Sequence, residues 1–96
     1  MKTMSFKELL EKYKRILNKL LIDDPLEVNS AMMFRSALIG MIKDLTDNQL
    51  TKFLKVDANF TDKIDDIIKE HEGLADFIND KSAMIFYEIQ SRRLVA

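Results

Sequence analysis

The most apolar stretch of this chain, Ala31–Leu45 (AMMFRSALIGMIKDL), has a cation in its middle. Any fold that buries this segment must also place a guanidinium. At about 100° per residue, Val28, Ala31, Met32, Phe34, Leu38, Ile39, Met41, Ile42 and Leu45 cover roughly half of a helix circumference, and Arg35 points near the centre of that arc. A bare buried charge is prohibitively costly. Arg35 must therefore snorkel to water or pair with a carboxylate, for which Glu8, Glu11 and Glu88 are the candidates, or else meet a partner chain or a small anion. The sequence favours a specificity device that pins helix register or a subunit contact.

The helix starts are legible. Ser5-Phe-Lys-Glu8, Asp24-Pro-Leu-Glu27 and Thr46-Asp-Asn-Gln49 each read as a capping box, with Pro25 at a first helical position where its missing N–H costs nothing. Two Gly and one Pro leave few turn formers, which argues for long helices. The periodicity predicts a first helix over 6–22, with Phe6, Leu9, Leu10, Tyr13, Ile16, Leu17, Leu20 and Leu21 on its apolar stripe. A second, central helix spans about 25–45, and a short third spans 47–55 with Leu50, Phe53 and Leu54 inward. A turn follows at 56–60. A fourth helix covers 62–72 and ends at Gly73, a natural C′ residue. The segment 74–94 is helical, with a break possible at 79–82; a strand at 84–90 would have no partner. The expected fold is all-α: one domain over 1–96, a compact bundle of four to five helices around the central apolar helix.

Catalytic and metal chemistry find little support. With no Cys, there is no disulfide, thiolate site or thiol nucleophile. His71 is the sole histidine, which excludes a two-His metal site within one chain, and it reads as an exposed residue capping a helix C-terminus. Asp57, Asn59 and Thr61 open like a calcium-binding EF-hand loop, but its sixth position is Asp62 instead of Gly and its twelfth is Ile68 instead of Glu. Asp62, Asp66 and Glu70 stack at four-residue steps on a helix that must bury its isoleucines, so they form a solvated acidic face. No phosphate-binding Gly loop or nucleophile elbow is present. The expectation is a non-enzyme without cofactor or metal.

Charge is unevenly distributed. Residues 1–20 hold six Lys/Arg against Glu8 and Glu11, whereas 57–80 hold eight acids against Lys63 and Lys69, in a chain that nets only −1. Helix-turn-helix spacing is loosely present over 49–64, but the turn glycine is replaced by Lys55. The would-be recognition helix, DKIDDIIKE, would repel phosphates. Ser36 and Gly40, four apart on the far side of the central helix with Asn29, Met33 and Lys43, suggest close approach by a neighbour. Six Met fit an adaptable core or binding surface.

The function expected from these features is a small regulatory or inhibitory protein of bacterial or phage type. It is cytoplasmic and non-membrane, binds a protein partner and self-associates as a homodimer. The residues nominated for partner binding are Arg35, Met32, Ile39, Lys7, Lys14, Arg15, Asp62, Asp66 and Glu70. The runner-up is a nucleic-acid-binding module using the basic face of the N-terminal helix.

Overall fold

The computed structural model describes residues 4–92. Its elements are α1 (Phe6–Asn18), α2 (Pro25–Gly40), a 3-10 turn (Ile42–Asp44), α3 (Asp47–Thr61), α4 (Ile64–Glu70), a second 3-10 turn (Glu72–Leu74) and α5 (Ala75–Arg92). The fold is all-α, with five helices and no strand among the described residues.

Two of the three expected capping boxes close in full. Ser5 and Glu8 cap α1 reciprocally, and Thr46 and Gln49 do the same for α3. At α2 only half forms: the Asp24 carboxylate accepts from the Leu26 N–H at 2.9 Å, Pro25 fills the first turn, and Glu27 does not reach back. An N-terminal side-chain acceptor relieves one of the four orphan N–H groups of a helix start, a contribution of about 1 kcal/mol.

α2 is the interior helix. Val28, Ala31, Met32, Arg35, Leu38 and Ile39 are buried along it, α1 packs most extensively against it, and α5 also rests on it. Its α-helical hydrogen bonding ends at Gly40 rather than near residue 45, and the 3-10 turn after it still delivers Ile42 and Leu45 to the core. The expected close approach is absent at Gly40, where an added Cβ meets nothing within 4 Å, whereas the Ser36 hydroxyl is buried without a hydrogen-bond partner among the described residues. Asn29 and Met33 on that side of α2, and Lys43 in the 3-10 turn after it, are exposed.

Three other boundaries differ from the sequence expectation. α1 stops at Asn18, four residues early, and Leu20 and Ile22 reach the core from the connecting loop. α3 does not turn at 56–60 but runs on to Thr61. Leu50, Phe53, Asp57 and Phe60, spaced by three and four, are all buried on one face, and no Gly or Pro interrupts them. Burial of Phe60 thus overrides the turn propensity of Asp57 and Asn59.

α4 is shortened to seven residues, with Ile67 fully buried. His71 caps it, as expected, but is half-buried rather than exposed: its Nε2 lies 2.8 Å from the carbonyl of Ile22. A carbonyl can only accept, so Nε2 carries the proton there. Gly73 lies in the 3-10 turn and serves no left-handed cap. α5 is unbroken, without the interruption possible at 79–82.

Candidate functional site

Arg35 finds its carboxylate inside its own chain, and it is none of the three expected. Asp57 on α3 meets it side-on, with Nε 2.9 Å from Oδ1 and Nη2 3.1 Å from Oδ2. Nη2 also donates to Ser82 Oγ on α5 at 3.0 Å, and the Tyr13 hydroxyl of α1 donates to Asp57 Oδ1 at 2.5 Å. The guanidinium carbon lies 4.6 Å from the centre of the Phe60 ring. Nη1 has no hydrogen-bond partner among the described residues, and the adjacent aromatic face offsets part of that deficit.

Arg35 and Asp57 are only 2% and 3% exposed, and with Ser82 they line the inner wall of a groove between α3 and α5. Four helices thus contribute to one polar cluster. Burial raises the Tyr13 phenol well above its ordinary value, and the Asp57 charge and hydrogen bond add to the effect against a smaller opposing pull from Arg35. A phenol held neutral and a carboxylate saturated by three donors are poor acid–base catalysts. The cluster ties α1, α2, α3 and α5 together through side-chain hydrogen bonds.

The nominated residues separate into three places. Met32 and Ile39, expected at a partner face, are instead buried in the chain's own core, 8% and 1% exposed. The apolar arc of α2 is consumed by α1 and α5. Arg35 is likewise internal. Asp62, Asp66 and Glu70 are exposed, and Asp66 and Glu70 border a shallow depression whose other side is Leu20–Asp23. Among the described residues no group of three His, Cys, Asp or Glu could hold a metal ion, and no helix is long and apolar enough to cross a membrane.

Lys7 and Lys14 belong to a more organised feature, while Arg15 is exposed elsewhere on α1. A groove of about 580 Å³ runs between α1 and α3, continuing into a neighbouring section of about 210 Å³ past Leu17 and Asn59. Its floor is Phe6, Leu10 and Val56, all half-buried, and its edges carry exposed Lys7 and Lys14 from α1 and Lys52 and Lys55 from α3. Glu11 and Gln49 complete the edges. The sequence reading missed Lys52 and Lys55. With α3 ended at residue 55, nothing indicated that its lysines face α1 across an apolar strip. Their three-residue spacing, on the side of α3 away from Phe53 and Asp57, was the available signal.

The second feature is on α5. Phe77, Met84 and Tyr87 are 42%, 46% and 69% exposed, and at 100° per residue they fall within an arc of about 80°. Phe86, also exposed, meets the Tyr87 ring edge-on with centroids 5.9 Å apart. Phe86 borders a groove of about 280 Å³ between α3 and α5, whose other apolar walls include Leu54, Ile85 and Ile89. The far end of α5 is clasped to the start of α3. Arg92 pairs with Glu88 at 2.8 Å and Asp47 at 3.2 Å, and donates to the carbonyl of Ile42 at 2.8 Å.

Comparison with known protein families, with curated proteins and with solved structures yields no match to this chain.

Proposed function

We propose that this chain is a non-catalytic protein-binding domain of regulatory or inhibitory type that self-associates through α5. The observation carrying this reading is the row of Phe77, Met84 and Tyr87 left uncovered on one side of that helix. With about 200 Å² for a large side chain, the three present roughly 300 Å² of apolar surface, an area typical of functional patches on monomers. Aromatic residues and Met are enriched at interface cores.

A second copy suits the row because Phe77 and Tyr87 lie equally far on either side of Ser82. An antiparallel two-fold pairing of α5 therefore sets Phe77 of one copy against Tyr87 of the other and Met84 against Asp80, an exposed acid in the same arc. The row alone falls well short of the roughly 800 Å² per partner of a standard interface, so the dimer is expected to be weak.

Sedimentation equilibrium between about 5 µM and 1 mM tests this, with a dissociation constant in the range of roughly 10–300 µM expected. Phe77→Ser with Tyr87→Ser alters exposed positions only, and should weaken the dimer at least about tenfold with an unchanged far-ultraviolet spectrum. A strict monomer at the highest concentration overturns the self-association. Turnover in an unbiased activity screen, abolished by changing a single carboxylate, overturns the non-catalytic reading.

Nucleic-acid binding is the second reading, and the four lysines around the α1/α3 groove favour it. Against it stands the groove's apolar floor, on which a phosphodiester backbone gains nothing. A mobility shift with mixed DNA and RNA at low salt, lost with rising salt and with Lys14→Glu, is what this second reading requires.

A further inference from the structure

We infer that the groove between α1 and α3 is a docking site for an acidic amphipathic helix of a partner protein. The argument rests on the arrangement of charge about the floor. Lysines stand on both edges: Lys7 and Lys14 on one, Lys52 and Lys55 on the other, with Glu11 the single opposing charge. Between them runs the apolar strip of Phe6, Leu10 and Val56. A guest complementary to this surface carries apolar side chains along one stripe and carboxylates on both flanks of it. That pattern is an amphipathic helix with anchors at positions i, i+4, i+7 and i+11 and acids beside them.

Each half of the pattern is needed. A polyanion lacking an apolar stripe leaves the floor wet and gains only screened Coulomb attraction. An apolar helix lacking acids strips water from lysine ammonium groups without replacing it. The lysine stems can lie along the guest's apolar side while their heads meet its carboxylates, adding buried hydrocarbon to the contact. Length agrees as well. The 13 residues of α1 span about 20 Å, enough for three to four turns of guest helix.

The occupant is taken to be a different protein, because this chain's acidic helix α4 is not free to leave its own core. α4 carries Asp65, Asp66 and Glu70, but its Ile67 is fully buried and Ile64 and Ile68 pack against the core. A second copy cannot offer the apolar stripe of α4 without unfolding it. The α5 row used for self-association lies on other helix faces, so either inference can fail while the other stands.

The test uses fluorescence anisotropy of a labelled synthetic helix of about 14 residues, with Leu at i, i+4, i+7 and i+11 and Glu on both flanks. Three controls accompany it: a scrambled peptide of identical composition, a version with every Glu replaced by Lys, and a single-stranded oligonucleotide. The designed peptide should bind with a dissociation constant of about 1–50 µM, the scrambled one at least about tenfold more weakly, and the Lys version not detectably. Lys14→Glu with Lys55→Glu, both at exposed positions, should weaken binding of the designed peptide at least about tenfold. Phe77→Ser with Tyr87→Ser should leave it unchanged.

Equal binding of the scrambled peptide overturns the proposal, because the groove would then be reading charge alone. So does an oligonucleotide that binds more tightly than the peptide and loses its binding with the same two lysine changes. Failure of the designed peptide to bind at about 500 µM overturns it outright.

Discussion

Removing Asp57 should be far more damaging than removing Asp57 together with Arg35. In the wild type the Asp57 carboxylate accepts two bonds from Arg35 and one from Tyr13, all between buried side chains. Asp57→Leu leaves the guanidinium with Ser82 as its single hydrogen-bond acceptor and strands the Tyr13 hydroxyl. Breaking a buried pair by deleting one partner costs about 3–5 kcal/mol, and an unpaired buried hydroxyl adds about 1–3 kcal/mol. A domain of this length has roughly 5–14 kcal/mol of stability in total, so the single variant sits near the edge of unfolding.

In the double variant Arg35→Met/Asp57→Leu, both charges are gone and only the Tyr13 hydroxyl lacks a partner. Adding Tyr13→Phe removes that as well. The stability order expected is therefore Asp57→Leu lowest, Arg35→Met next, then the double, then the triple within about 2 kcal/mol of wild type. Urea titrations followed by circular dichroism read this directly. With a slope near 1 kcal/mol per molar, a 3 kcal/mol loss moves the midpoint by about 3 M. If the double variant loses as much as the two singles combined, the cluster is not a coupled unit and the reasoning fails.

Tyr13→Phe should also change the alkaline limb of stability. The phenol's pKa is raised on folding above its ordinary 10.0, so its contribution is complete below that pH. It falls by about 1.4 kcal/mol per pH unit above it, as the unfolded chain releases a proton the folded chain keeps. The difference in slope between wild type and Tyr13→Phe from pH 9 to 11.5, about one proton, isolates the effect; parallel slopes would contradict it. Gly40→Ala should stabilise by about 0.5–1 kcal/mol, because the site is exposed, helical and open around the new Cβ; a loss in thermal melting would mean the glycine has a packing role after all. Arg92→Met should release the end of α5 from α3 and the Ile42 carbonyl, seen as faster amide exchange over residues 86–92 with the α2 core unchanged; unaltered exchange would show that the clasp is ornamental.

Much of the fold was legible because it is encoded locally. Ser5/Glu8 and Thr46/Gln49 announce their helices within four residues, and the tight apolar spacing of α1 and α2 identifies the buried stripes. Helix ends were harder, because tertiary burial settles them: Phe60 holds α3 helical past Asp57 and Asn59, which read as turn residues. That one boundary hid the central pair. With α3 ended at residue 55, Asp57 appeared to lie in a loop. With α3 continued to Thr61, it falls in line with Leu50, Phe53 and Phe60, a lone acid on an apolar stripe that mirrors the lone Arg35 on its own. The groove was only half legible for a related reason. Lys7 and Lys14 stand out on α1, but their partnership with Lys52 and Lys55 depends on how two helices pack, which no local pattern specifies.

The Arg35 cluster also bears on time as well as energy. Its bonds join residues 22, 44 and 47 positions apart, from four separate helices. A guanidinium gains nothing from leaving water until its carboxylate and its hydroxyl are both in place, so these bonds are expected to form after the folding barrier is crossed. Interactions absent from the transition state leave the folding rate nearly untouched and slow unfolding in proportion to their worth. On that basis the cluster acts as a latch on an assembled molecule. Weakening it would shorten the lifetime of the native state without delaying its formation, and the unfolding arm of a chevron plot is where its loss would register.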